Sequence, residues 1–251
     1  MAMKNLIVFS ALALGAATFV LAQGPGHNHG FGERGMGPMM AGPWNRTPVT
    51  GAPYSAVETR EFSQTLPGGN VIQKQEQTKV TRDSEGRVRS ESGNTVAIFD
   101  PVAGNFTRLD SQKLTASQTA LPHQRMARTR PAQGNWQPHR GPAGASFQTE
   151  DLGTQTINGL VATGTRVTET IPAGAIGNQQ PLVVTRTTWI STELKVPVQI
   201  VSSDPRFGTS TMNLTGVTRE EPDAALFRVP SGYSVTTGRS WRGGPGLQQQ
   251  R

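Results

Sequence analysis

The chain has 251 residues, a formal net charge of +7, 34% hydrophobic residues, 29 glycines, 18 prolines and no cysteine. The lack of cysteine excludes disulfide frameworks, thiol nucleophiles, cysteine-based zinc sites and iron–sulfur clusters. Low apolar content with abundant Gly and Pro predicts that part of the chain stays outside any core.

Residues 1–22 read as an export signal. Lys4 is the only charge, an apolar run follows from Leu6 to Leu21, and small residues end the segment at Ala22 before Gln23. A basic start, an apolar middle and a small-residue end predict cleavage between Ala22 and Gln23. The apolar run is roughly 16 residues, short of the ~20 that span a bilayer. The mature chain is therefore expected to be exported, periplasmic or extracellular, without a transmembrane span.

Residues 23–53 are rich in Gly, Pro and Met and show no apolar periodicity, so they read as a disordered arm. From Tyr54 the composition changes to Thr, Val and Gln. Strands are predicted over Tyr54–Leu66 and Val71–Arg82, divided by Pro67-Gly68-Gly69-Asn70, then over Arg87–Glu91, Thr95–Phe99 and Asn105–Asp110. Residues 117–146 read as a basic linker: Arg125, Arg128, Arg130 and Arg140 stand among Pro and Gln with no acid. Strands resume over Gly159–Ile171, Leu182–Ile190, Val196–Ser202 and Thr209–Thr218. One helical turn is predicted within Glu220–Phe227, and a closing strand over Val229–Val235. Residues 238–251 read as a disordered tail. Period two prevails and no long helical periodicity appears. The expected fold is mainly β: one domain over 54–237, interrupted at 117–146, built on a curved antiparallel sheet like a half-barrel, with few short helices.

Several segments resemble an uncharacterised family of exported bacterial proteins. They are Arg82–Arg89, Asp100–Gly104, Ile171–Asn178, Ser203–Gly208 and Glu221–Tyr233. More distantly, the Leu226-Phe227-Arg228-Val229-Pro230-Ser231-Gly232-Tyr233 ending is similar to the closing strand of the lipoprotein-carrier superfamily. That superfamily includes a periplasmic lipoprotein chaperone and an envelope-stress regulator. The resemblance implies a curved antiparallel half-barrel over an apolar cavity, and a lipid, an acyl group or an envelope protein as partner.

No motif commits the chain to a reaction. Gly30-Phe31-Gly32-Glu33-Arg34-Gly35 matches a dinucleotide fingerprint by letter, but lacks the strand before it and the helix after it. His27, His29, Met36, Met39 and Met40 have the chemistry of a soft-metal arm, although a biased Gly-rich tract accounts for them equally. His123 and His139 fall in the linker, which suits no rigid hydrolase triad. Glu58/Glu61, Glu150/Asp151 and Glu220/Glu221 are the local carboxylate pairs open to glycoside chemistry, and surface solvation explains them as well. Phe207, Leu226 and Phe227 are expected as core plugs beside Pro- and Gly-built turns.

The expectation is thus a non-enzymatic envelope protein, with no cofactor and no metal site. Phe99, Phe106, Trp189, Ile200 and Met212 are the candidate ligand-facing residues. The alternatives are a surface-interaction protein that uses its basic segments, with Trp136 and Trp241 interleaved, and last a carboxylate-based hydrolase. The positive charge belongs to the irregular segments, so no specific nucleic-acid binding is expected.

Overall fold

The structure is a computed structural model, and it describes residues 48–121 and 142–238. These form one curved sheet of twelve strands. In chain order the first half is β1 (Tyr54–Thr65), β2 (Val71–Arg82), β3 (Val88–Ser92), β4 (Thr95–Asp100), β5 (Asn105–Asp110) and β6 (Thr115–Ala120). The second half is β7 (Ser146–Ile157), β8 (Leu160–Ile171), β9 (Leu182–Ser191), β10 (Pro197–Asp204), β11 (Gly208–Thr218) and β12 (Ser234–Gly238). The only helical element among the described residues is a 3-10 turn, Ala224–Phe227.

The spatial order is β12-β6-β5-β4-β3-β2-β1-β11-β10-β9-β8-β7. Two meanders, β1–β6 and β7–β11, meet where β1 pairs antiparallel with β11. Only β12 breaks the pattern, pairing parallel with β6. The curvature is visible in hydrogen bonds that skip strands. Arg82 Nη2 on β2 donates to Leu194 O, in the β9–β10 turn, at 2.8 Å, although β1 and β11 stand between β2 and β10. Asn158 Nδ2, in the β7–β8 turn, reaches Leu214 O on β11 at 3.0 Å. Neighbouring strands lie about 4.8 Å apart, so a flat sheet could not bring these groups together.

The sheet buries different faces along its width. Directly paired residues share a face, so Ala56, Val80, Ser90 and Ala97 lie on one side across β1–β4. Tyr54, Ala56 and Val80 belong to the larger apolar cluster, which also gathers Leu160, Ala162, Trp189, Leu194, Val196, Val198 and Leu214. The smaller cluster, Val96, Ile98, Leu109 and Ala116, lies on the opposite side of β4–β6 and is closed by Phe227. The chain after β11 crosses to that side. It is tied there by Arg89 Nη1, which donates to Leu226 O at 2.9 Å, and by the Arg87 guanidinium, 5.1 Å from the Phe227 ring centre.

Four expectations are revised. Residues 117–120 continue strand β6, and β7 covers 146–157, where no strand was expected. β7 is an edge strand, largely exposed, so its formation rests on backbone pairing with β8 and leaves no apolar alternation to read. The one helical turn expected within Glu220–Phe227 is present over 224–227, with Asp223 Oδ1 accepting from Ala225 N at 2.8 Å. Residues 229–233 form no strand: Val229 and Tyr233 pack on the smaller cluster, and the closing strand starts at Ser234. Phe227 is 5% exposed and Leu226 packs beside it, as expected of plugs, but Phe207 is 37% exposed. Phe207 sits at a turn tip beneath the Arg206 guanidinium, 5.1 Å from its ring centre.

Candidate binding face

The strand register defines the site. One row across the sheet reads Val167, Arg186, Ser202, Ser210 and Phe62. The next reads Thr165, Thr188, Ile200, Met212 and Arg60. Side chains alternate along each strand, so both rows look to the same side, together with Glu58 and Val184. Tyr54 and Arg82 share that side at the end of β1 and β2, and their row continues through Val88, Phe99 and Phe106.

Four of the five residues expected to face a ligand therefore share one face, with Ile200 and Met212 directly paired and Phe99 and Phe106 paired farther along the sheet. Trp189 does not join them. It pairs with Gln199 and Gly164 and points to the other side of β9, where it is 8% exposed. Its indole lies over Gly164, and a Cβ there would come within 2.6 Å of the ring.

The face carries charge that no single apolar residue foretold. Glu58 is 6% exposed. It accepts from Arg60, with Nη2 to Oε1 at 2.6 Å. Arg186 is half-buried two residues before Thr188, and its one hydrogen bond among the described residues is long, Nη1 to Ser202 Oγ at 3.5 Å. Burial pushes the Arg186 guanidinium below the usual arginine range, and the positive charge of Arg60 pushes the same way. The neighbouring Asp204 carboxylate is already held by Arg206, Nη2 to Oδ2 at 2.6 Å. Arg60 and Arg186 thus share a face whose carboxylates are Glu58, Glu76 directly opposite Arg60 on β2, Glu169 on β8 and Asp204 on β10.

Farther along the same side, Arg82 is a structural cation. It donates twice to Ala52 O, at 3.0 and 2.7 Å, and lies 4.8 Å from the Tyr54 ring centre. Burial lowers the pKa of Arg82. Burial also pushes Tyr54 up to about 12 against the usual 10.0, with the Arg82 charge partly opposing the rise.

The carboxylate pairs do not assemble into an acid–base pair. Glu58 and Glu61 point to opposite faces of β1, as do Glu150 and Asp151 on β7. Glu150 pairs with Arg166 at 3.3 Å, and Glu221 accepts from Ser84 N and Oγ, both at 3.1 Å. Ala22, Gln23, His27, His29, Met36, Met39, Met40, His123, His139, Trp136 and Trp241 lie outside the described residues, as do the linker arginines. No helix among the described residues is long and apolar enough to cross a membrane, which leaves strand-built spans aside.

No family model and no curated protein matches the chain. Among solved structures it is similar to an uncharacterised conserved protein from Thermus thermophilus, at 9% identity, over 74% of this chain and 91% of that one, with a TM-score of 0.42. A chain of the Pseudomonas aeruginosa MucA/MucB complex is similar at 11% identity and TM-score 0.42, over 76% of this chain and 60% of that one. A LolA superfamily protein from Nitrosomonas europaea is similar at 11% identity and TM-score 0.22, over 73% of this chain and 92% of that one. At such identities and scores the likeness is one of strand arrangement in outline, and no ligand or partner follows from it for this chain.

Proposed function

We propose that this protein is a non-enzymatic, exported binding protein of the bacterial envelope, which seats a lipid or acyl group across the face of β1, β11, β10 and β9. The observation that carries the reading is the paired Ile200–Met212 row, with half-buried Phe62, Val167 and Val184 around it on the same side. Apolar side chains interleaved with hydroxyls and charges on one face of an open-ended sheet suit an amphiphilic ligand that needs orientation more than chemistry. Export rests on residues 1–22 and their basic, apolar and small-residue succession.

The test is a titration of the mature chain with a fluorescent long-chain fatty acid. Saturable binding is expected. Ile200→Glu should weaken it roughly tenfold or more, since a carboxylate would then stand in the apolar row. Val183→Glu is the control: Val183 is 49% exposed and points to the other side of β9 from Arg186. Absent binding, or equal losses in the two variants, would defeat the proposal.

A further inference from the structure

We infer that Arg186, on the face it shares with Arg60, holds the anionic group of the ligand taken by this face, a carboxylate or a phosphate. The inference rests on the binding reading above and adds to it the class of head group.

The geometry carries it. Arg186 stands on β9 between Val184 and Thr188, with Val167 across on β8 and Ser202 across on β10. Thr188 and Ser202 beside it bear hydroxyls and Glu169 stands diagonally across on β8, yet among the described residues Arg186 keeps one long hydrogen bond, to Ser202 Oγ, and its partial burial strengthens the field it feels. Arg60 is not an available counter-charge but a second cation, already engaged by Glu58. Among the described residues no carboxylate makes an ion pair with Arg186, while eight other arginine and lysine side chains do have one. Both desolvation and the Arg60 charge disfavour the guanidinium where it stands. A strained cation on a binding face is the arrangement that an incoming anion relieves. A planar guanidinium also offers paired N–H groups that match the two oxygens of a carboxylate or phosphate. Val167, Val184, Ile200, Met212 and Phe62 then lie where the acyl chain of an amphiphile would run.

Arg60 is the wrong residue to remove, because its loss would strand the buried Glu58 carboxylate. Arg186→Gln is the informative variant, with Arg186→Lys as its conservative partner. Each is titrated with a long-chain fatty acid, with the fatty alcohol of equal chain length, and with inorganic phosphate in large excess as a competitor, and urea midpoints are measured alongside. The expected result is a loss of roughly tenfold or more in fatty-acid affinity for Arg186→Gln, partial recovery in Arg186→Lys, and alcohol binding changed by less than about twofold. The urea midpoint of Arg186→Gln should equal or exceed that of the unmodified protein, since the substitution removes a disfavoured charge. Competition by inorganic phosphate would support the anion site and identify a free oxyanion as sufficient; its failure to compete, with the acid-specific loss present, would identify the amphiphile's own head group. Equal losses for acid and alcohol, no loss for either, or a marked fall in the urea midpoint would overturn the inference while leaving the apolar face intact. If the unmodified protein binds neither acid nor alcohol, the binding reading falls with it.

Discussion

Gly164→Ala tests the packing of the Trp189 indole over Gly164. Gly164 has ordinary extended backbone, so alanine is conformationally acceptable there. On backbone grounds alone it would stabilise the strand by about 0.5–1 kcal/mol. The added Cβ, however, would lie 2.6, 2.7 and 2.7 Å from Trp189 Cζ3, Cε3 and Cη2. Carbon atoms settle at about 3.5–4.0 Å, so the ring must retreat by about 1 Å. It is 8% exposed and packed in the larger cluster with Leu160 and Ala162, and overpacking of this kind costs about 1–3 kcal/mol. The net expectation is a loss of about 1–2 kcal/mol. The assay is a cycle of urea denaturation on the unmodified protein, Gly164→Ala, Trp189→Leu and the double variant. With the smaller leucine in place the clash is gone, so Gly164→Ala should become neutral or stabilising in that background, a coupling of roughly 1–2 kcal/mol. If Gly164→Ala costs the same in both backgrounds, or stabilises the unmodified protein, the account of Trp189 is wrong.

Two further outcomes follow from the two clusters. Tyr54 is pushed up to about 12 mainly by burial, partly opposed by Arg82 and helped by Glu58, so the unfolded chain ionises it first. Its contribution is complete below pH 10 and is lost as pH rises through 10 to about 12, on the order of 2–3 kcal/mol. Tyr54→Phe should therefore show a smaller fall in urea midpoint between pH 8 and pH 11.5 than the unmodified protein, and equal falls would contradict the burial argument. Phe227→Ala should cost about 3–5 kcal/mol by opening the smaller cluster. Amide exchange should quicken first in β4–β6, beneath Phe227, and a uniform increase across β8–β10 would show that the two clusters do not unfold separately.

Most strands were legible because their physics is local. Val71–Arg82 and Asn105–Asp110 stand in the structure with the bounds read from composition and turns. The Pro67–Asn70 and Asp83–Gly86 turns close through hydrogen bonds from Gly69 N to Leu66 O at 3.0 Å and from Gly86 N to Asp83 O at 3.1 Å. β7 was missed although a local signal existed. Asn158-Gly159, with φ of 51 and 78, is the pair that a two-residue hairpin turn demands, and it announces a strand before it as well as after it. The candidate site was half legible. Ile200 and Met212 stood out as apolar residues in strands, but Arg60 and Arg186 are separated by 126 positions in the chain and share a face only through the β1–β11 pairing.

From its residues alone, this protein is a cysteine-free chain with an apolar run over Leu6–Leu21 and Thr- and Val-rich segments punctuated by Gly, Pro and Asp turns. Each of those properties depends on neighbours a few positions away. The tertiary structure alone decided that the meanders join edge to edge through β1 and β11, that the buried face changes between β2 and β4, and that residues 224–233 close the second core. It also decided that Trp189 lies on the side of β9 opposite Arg186, and that Arg60, Arg186 and Glu58 share a face. Strand alternation leaves two possible faces for every residue, and only the register of distant strands and the contacts across the curve select between them.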